Sequence, residues 1–375
     1  MNPEALIRTN VLNAVSLLAI MGTLRLAAPW MSQPSRVKPA QMTFAQTEGI
    51  LWILLLLGLP IKYLVVLPYE FGQSETNLLG IVQNTKVFTT LAVFLLAYLV
   101  ASGRRGYGVL MVAFCALELT VGLLTLAKLE LLMTVLMIFL GVYYARRKVA
   151  VLVAGGVVCV GLYILVTPLV SAVRMDLTGQ KDRGAWTRVE YLWTRIEQGN
   201  FQSDAVESDT QFWWARLNYA NTQAFAMNEY DAGQPGLTFL YVIYTFVPRA
   251  LWPDKPVIDF GKDFNQLILD NPDSQTGVGI FGEAYWNGGW ILVLLTGIVV
   301  GLEFAVFTRL ALKEMAGTNF RWLPCAFIGV YMGLRPDDWF VTIYVGQAVI
   351  CAAYFVVVKW FLPDRNLFAS GTAGA

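Results

Sequence analysis

Residues 149–173 read VAVLVAGGVVCVGLYILVTPLVSAV, with Arg146, Arg147 and Lys148 just before them and Arg174 just after. No charged side chain interrupts the run. A helix needs about 20 mostly apolar residues to cross the hydrocarbon core of a bilayer, so this stretch is long enough to span it. The cations at its start mark one face of the membrane, because Lys and Arg accumulate on the cytoplasmic side. Working outward, further apolar runs lie at roughly 11–30, 50–68, 87–101, 107–126, 129–145, 290–309, 322–336 and 339–361; those at 87–101 and 322–336 are short. The pattern predicts an all-α polytopic membrane protein of about nine spanning helices.

Composition agrees. Of 375 residues, 57% are hydrophobic and only 14% are charged, with a mean hydropathy of +0.56. Soluble domains carry about 25% charged residues, so much of this surface has no need of water. The net charge of +1 gives no sign of a nucleic-acid partner. The first apolar stretch has no cleavage-like end and reads as a retained helix. Cys115, Cys159, Cys325 and Cys351 all fall inside apolar runs, as small buried residues rather than a disulfide framework. The chain has no histidine. That excludes a Ser-His-Asp triad and an HExxH metalloprotease, and argues against Cys-His chemistry.

Charge placement predicts orientation. Arg36, Lys38, Arg104, Arg105, Arg146, Arg147, Lys148, Arg309, Lys313, Arg321, Lys359 and Arg365 fall on one set of alternating segments, against Arg8, Lys86 and Lys128 on the other. The bias places the N-terminus outside and the C-terminus inside, in the cytoplasm. Arg25 and Lys62 lie near span ends, where they can snorkel. The segments are then 1–173, an N-terminal bundle of about six spans; 174–289, a large outer region; and 290–375, about three spans and a tail. By parity the apolar run 237–252 cannot cross once alone, so it reads as a re-entrant or interfacial segment, tolerated at depth only beside protein or a watery cavity. In 186–197, Trp186, Val189, Leu192, Trp193 and Ile196 share one helical face, with Thr187 and Glu190 as a possible capping box. That face suits the membrane surface, or packing on the rest of the loop. A second helix is expected over 210–229, followed by a break at Gly233-Gln234-Pro235-Gly236.

Three constellations can carry chemistry. Val247-Pro248-Arg249-Ala250-Leu251-Trp252-Pro253-Asp254-Lys255-Pro256 sets Arg249 and Lys255 in a backbone stiffened by three prolines. Arg offers a planar fork to phosphate oxygens and Lys a point charge, which makes a diphosphate clamp; the other reading is a rigid loop meeting lipid headgroups. Gly279-Ile280-Phe281-Gly282-Glu283-Ala284-Tyr285-Trp286-Asn287-Gly288-Gly289-Trp290 leads into a span, with Glu283 one turn from Asn287. Glu283 is a candidate base or the partner of a buried Arg; capping plus an aromatic belt is the alternative. Arg174, Arg183, Arg188 and Arg216 form the third set, in which any single member is most simply a solvated charge and Arg174 and Arg216 are the better candidates. Trp252, Tyr241, Tyr244, Tyr285 and Trp286 can stack on sugar rings or populate the membrane interface. Arg335-Pro336-Asp337-Asp338 reads first as a structural salt bridge.

The Pro-Arg…Trp-Pro-x-Lys-Pro segment, followed by Gly-Glu-x-Tyr-x-Asn-Gly-Gly entering a late span, resembles the O-antigen polymerase (Wzy-type) family of oligosaccharide repeat-unit polymerases. The likeness covers roughly 170–310. It implies a fold like that of GT-C glycosyltransferases, and a metal-independent transfer with no cofactor. In that reaction a glycan on undecaprenyl diphosphate passes to a hydroxyl of the next lipid-linked unit, on the periplasmic face. Carried over, Arg249, Glu283 and Arg216 are the catalytic residues and Arg174, Arg249 and Lys255 hold the diphosphate. Trp252, Tyr285, Trp286 and Asn287 meet sugar. The implied partners are lipid-linked oligosaccharide, membrane lipid, a chain-length regulator and a flippase. O-antigen ligases are usually described with a functional histidine, so its absence favours the polymerase. The alternatives are a ligase or another lipid-linked glycosyltransferase, and a transporter or flippase. The lopsided layout of six spans, an outer region and three spans argues against the transporter, since inverted repeats are the usual mark of one.

Overall fold

The computed structural model describes residues 3–32, 42–73, 86–177, 184–199, 219–247, 252, 260–269, 277–313 and 318–361. Within these the chain is helical throughout, and six helices are long and apolar enough to cross a membrane: Pro3–Ser32, Phe44–Glu70, Arg105–Leu124, Lys128–Arg146, Val149–Arg174 and Gly279–Lys313. The protein is therefore multi-pass by the length and composition of its helices. Two expected spans are shorter apolar helices, Val87–Ala101 and Phe340–Val356. The run 322–336 yields an 11-residue helix, Leu323–Gly333.

Packing divides the chain into two compact units, one of residues 1–40 with 219–375 and the other of 41–218. The first helix thus packs with the C-terminal half of the chain, and the second unit interrupts the first in sequence.

In the 41–218 unit, α1 being Pro3–Ser32 of the other unit, the helices are α2 (Phe44–Glu70), α3 (Val87–Ala101), α4 (Gly108–Leu124), α5 (Lys128–Arg146), α6 (Val149–Asp176) and α7 (Ala185–Gln198). The shortness of α3 follows from its position: Leu91, Ala92, Val93, Leu95, Leu96 and Leu99 are all fully buried, so protein rather than lipid surrounds it. Its partner α5 comes close at Gly141, where an added Cβ would run into the Phe94 carbonyl oxygen and lie 2.9 Å from Ala97 Cβ. Backbone cannot yield there as a side chain would. Gly141→Ala is expected to cost about 1–3 kcal/mol, as overpacking does, measured as a lower resistance to unfolding by denaturing detergent. By contrast α6 turns Val153, Val157, Val160 and Leu165 outward, as a peripheral lipid-facing helix would.

Lys62 corrects the sequence reading. It does not snorkel: its side chain is 3% exposed, with Nζ 2.7 Å from Glu118 Oε2. A π-helical turn at Ile61–Val66 turns it inward together with Tyr63, whose hydroxyl donates to Glu118 Oε1 at 2.8 Å. Thr89 donates to Glu118 Oε2 at 3.2 Å. An alternating chain of charge continues outward: Lys62 lies 3.6 Å from Glu130, which lies 2.6 Å from Lys86, which lies 3.1 Å from Glu70. Burial opposes the charge on Lys86, but Glu130 and Glu70 outweigh it and hold the ammonium above the ordinary lysine range.

The amphipathic helix expected at 186–197 is α7. It starts from Gly184 in extended conformation, so Thr187 falls inside the first turn and the expected capping box gives way to a glycine N-cap. Leu192 packs on Leu126, Leu169, Val170 and Val173, while Trp186 (86% exposed), Val189, Trp193 and Ile196 face outward. An outward apolar face on a helix with a charged flank suits the bilayer interface. Arg188 is buried rather than solvated. It donates to the carbonyls of Glu70 (2.9 Å) and Leu124 (3.2 Å), which end α2 and α4, where a cation is favoured by the helix dipoles.

The other unit joins α1 to α8 (Ala220–Asp231), α9 (Phe260–Leu269), α10 (Gly279–Lys313), α11 (Leu323–Gly333) and α12 (Gly346–Phe361), the last preceded by a π-helical turn, Phe340–Val345. Helices α1 and α10 run side by side in the same direction. Gly297 meets Ser16 and Ala19, Gly301 meets Ile20 and Thr23, and Arg309 lies over the Trp30 ring. Glycines four apart let the two backbones approach, as membrane helices do in the absence of a hydrophobic drive between them. Of the helix expected over 210–229, α8 supplies the second half; 210–218 lie outside the described residues. Of the 237–252 run, the described residues 237–247 form no long helix. They make a 3₁₀ turn, Thr238–Tyr241, and one short helix, Val242–Phe246. Leu237, Leu240, Ile243 and Phe246 turn outward, while Phe239, Tyr241 and Val242 pack on the core.

Candidate functional site

The first turns of α10 organise the polar groups of the 1–40/219–375 unit. Non-helical backbone at Gly288 and Gly289 separates the segment 279–287 from the rest of α10. Gly289 has φ +59, in the left-handed region that glycine tolerates, and its backbone lies against Tyr230. This break lets 279–287 take its own direction. Its start is fixed by Ile280 N–H donating to the Pro336 carbonyl at 3.1 Å, and the Gly277 and Gly279 backbones lie on 336–337.

Glu283 is the centre of the arrangement, with an exposure of 0%. Thr238 Oγ1 donates to its Oε1 at 2.7 Å, and the Phe340 N–H donates to Oε2. Asn287 Nδ2 donates both to Thr238 Oγ1 (2.7 Å) and to the Glu283 carbonyl (2.8 Å), and Asn287 Oδ1 accepts from Phe239 N–H at 3.0 Å. Glu283 and Asn287 are thus on one side, as their spacing predicts. Among the described residues Glu283 has no ion-pair partner. Both its oxygens are occupied by donors, so in this conformation it holds the Thr238 side chain and the start of the π-turn to α10 and offers no open face to a substrate.

A second polar group surrounds the same turns. Arg8 Nη2 lies 2.5 Å from Asp231 Oδ2, and the Tyr285 hydroxyl donates to Asp231 Oδ1 at 3.1 Å. Asn13 and Gln223 exchange side-chain hydrogen bonds at 3.0 and 3.1 Å. Arg335 pairs with Asp338 and donates to the Tyr331 hydroxyl, the structural salt bridge the sequence suggested, and Tyr219 donates to Asp337 at 3.3 Å.

The aromatic candidates divide by exposure. Trp286 donates its indole N–H to the Gln234 carbonyl at 3.0 Å and is covered by Phe264 and Trp339. Tyr285 is buried against Tyr230 and Trp290. These two and Asn287 are engaged inside the unit. Trp252 is 36% exposed, with its ring edge-on to Tyr244, and is the sugar-stacking candidate that remains open.

Of the expected cations, Arg249, Lys255 and Arg216, with Arg183, lie outside the described residues. Arg174 belongs to the 41–218 unit, at the end of α6, where it donates to the Leu126 carbonyl. Among the described residues no group of His, Cys, Asp or Glu is arranged to hold a metal ion. Thr238, Asp231 and the Asn13–Gln223 pair escaped the sequence reading. The available signal was a polar residue inside or beside an apolar run, as with Asn13 in the first span. The chain matches no family model, no curated protein and no solved structure.

Proposed function

We propose that this chain is an inner-membrane glycan polymerase that joins undecaprenyl-diphosphate-linked repeat units on the periplasmic face, with its N-terminus outside and its C-terminus in the cytoplasm. One observation carries the reading. The start of the apolar run that leads in sequence to Pro248-Arg249 is tied to the Gly-Glu motif: Thr238 Oγ1 donates to Glu283 and the Phe239 N–H to Asn287. The reaction needs little else from the protein than positioned charge. A diphosphate is a good leaving group once its negative charge is met, and fixed cations can supply much of the rate. Arg249 and Lys255 meet that charge. Glu283 acts as a positioning residue that anchors the segment leading to them. The attacking hydroxyl gives its proton to a phosphate oxygen or to one of the carboxylates around the same turns, Asp231 or Asp337. Trp252 stacks on the glycan.

The test is Arg249→Ala in cells that make the glycan. Lipid-linked single repeat units are expected to accumulate on the outer face of the inner membrane with polymer lost. Accumulation on the inner face would point to a flippase, and accumulation of unattached polymer to a ligase; either result overturns the polymerase reading.

A further inference from the structure

Glu303 belongs to none of the networks above. It sits in the spanning part of α10, roughly 20 Å along the axis from Trp290 and roughly 15 Å from Lys313 at 1.5 Å per residue, so it lies near mid-depth. Its Oε2 is buried and accepts no hydrogen bond, and among the described residues no cation pairs with it. The ionisable groups that could answer it are committed elsewhere. On the π-turn, Tyr344 is within electrostatic reach, but its hydroxyl donates to the Met332 carbonyl at 2.8 Å. On α11, Tyr331 is bonded to Arg335, and the Cys325 thiol points to the Cys351 carbonyl. On α1, Arg25 is the ionisable residue in the half that runs beside Gly301 and Arg309. It is exposed and makes no ion pair with Glu303. Helix α8 and the Thr238–Tyr241 turn meet α10 at its first turns, well away from Glu303.

An ionised carboxylate with a buried, unanswered oxygen in hydrocarbon is far more costly than the neutral acid. We infer that Glu303 is an intramembrane proton-binding site, its buried and unanswered carboxyl oxygen keeping the group as the neutral acid at neutral pH. The inference is independent of the glycan reading. A protonated acid in a lipid-accessible span has a distinctive reactivity toward lipophilic carbodiimides. The acid proton moves to one carbodiimide nitrogen as the carboxylate oxygen bonds the central carbon. The acyl group then migrates from oxygen to nitrogen, leaving a stable N-acylurea with the whole reagent added and nothing lost.

The experiment uses the full chain in lipid nanodiscs. Wild-type protein is treated with dicyclohexylcarbodiimide at neutral pH and mapped by peptide mass spectrometry, and its infrared spectrum is compared with that of Glu303→Gln. Supporting results are an adduct on Glu303 that fades as pH is raised and persists in Arg25→Gln, with loss of a protonated-acid C=O band in Glu303→Gln. An unmodified Glu303 at neutral and acid pH, or loss of an ionised-carboxylate band in its place, overturns the assignment. Labelling of wild-type protein decides the matter even if Glu303→Gln fails to fold.

Discussion

Lys62→Met is expected to destabilise the 41–218 unit by about 3–5 kcal/mol, the cost of removing one partner from a buried ion pair and leaving the other charge uncompensated. Glu118 would then keep only its Tyr63 and Thr89 donors, in a site where the Lys62 side chain is 3% exposed and that of Glu118 1%. Glu118→Met should cost a similar amount, because it strands Lys62 beside a more distant Glu130. The double substitution is expected to be more stable than either single, since replacing both partners by apolar groups of similar volume is often neutral or better. Detergent-unfolding midpoints for the four proteins close the cycle. Additive single effects would mean that the two charges do not answer each other.

Glu283→Ala is expected to cost about 2–4 kcal/mol, from two stranded donors and a cavity in a fully enclosed site. Thr238 Oγ1 and the Phe340 N–H would both lose their acceptor. Glu283→Gln should cost less, near 1 kcal/mol, because the amide keeps the shape and one acceptor while setting its NH₂ against one of the two donors. Since Thr238 heads the run toward Arg249, both variants should also lower transfer activity, with the loss following stability. Arg249→Ala should instead lose activity with stability intact. Measuring unfolding midpoint and polymer yield side by side separates a residue that holds the segment from one that meets the substrate.

These contrasts show where sequence reasoning reached. Six of the expected spans were legible because an uninterrupted apolar run has few structures open to it in lipid, and 149–173 became α6 almost residue for residue. The absence of a long helix over 237–247 agrees with the prolines that close that run. Burial was harder to read. Lys62 near a span end is compatible with snorkelling or with pairing, and only the inward turn at Ile61–Val66 decides between them. Nothing in an apolar stretch announces a π-turn. Partnership between helices was also hidden, because lipid-facing and helix-facing residues are equally apolar. The small residues Ser16, Ala19, Gly297 and Gly301 were the signal for α1 and α10, visible only when the two segments are compared. Glu283 and Asn287 were legible as a pair through their spacing on one helix. Thr238 was not, as a single hydroxyl 45 residues away.

The pairing of α1 with α10 sets a problem of timing. The ribosome makes α1 first and α10 only after nearly all the intervening chain; at about 5–20 residues per second the wait is on the order of tens of seconds. During that interval Ser16 and Thr23 are satisfied within the helix, their hydroxyls bonding back to Leu12 and Ala19, whereas Asn13 waits for Gln223. The intervening unit can meanwhile close on itself. Docking of α1 on α10 therefore comes long after α1 is made, once the 41–218 unit has left the ribosome and with α11 and α12 still to follow.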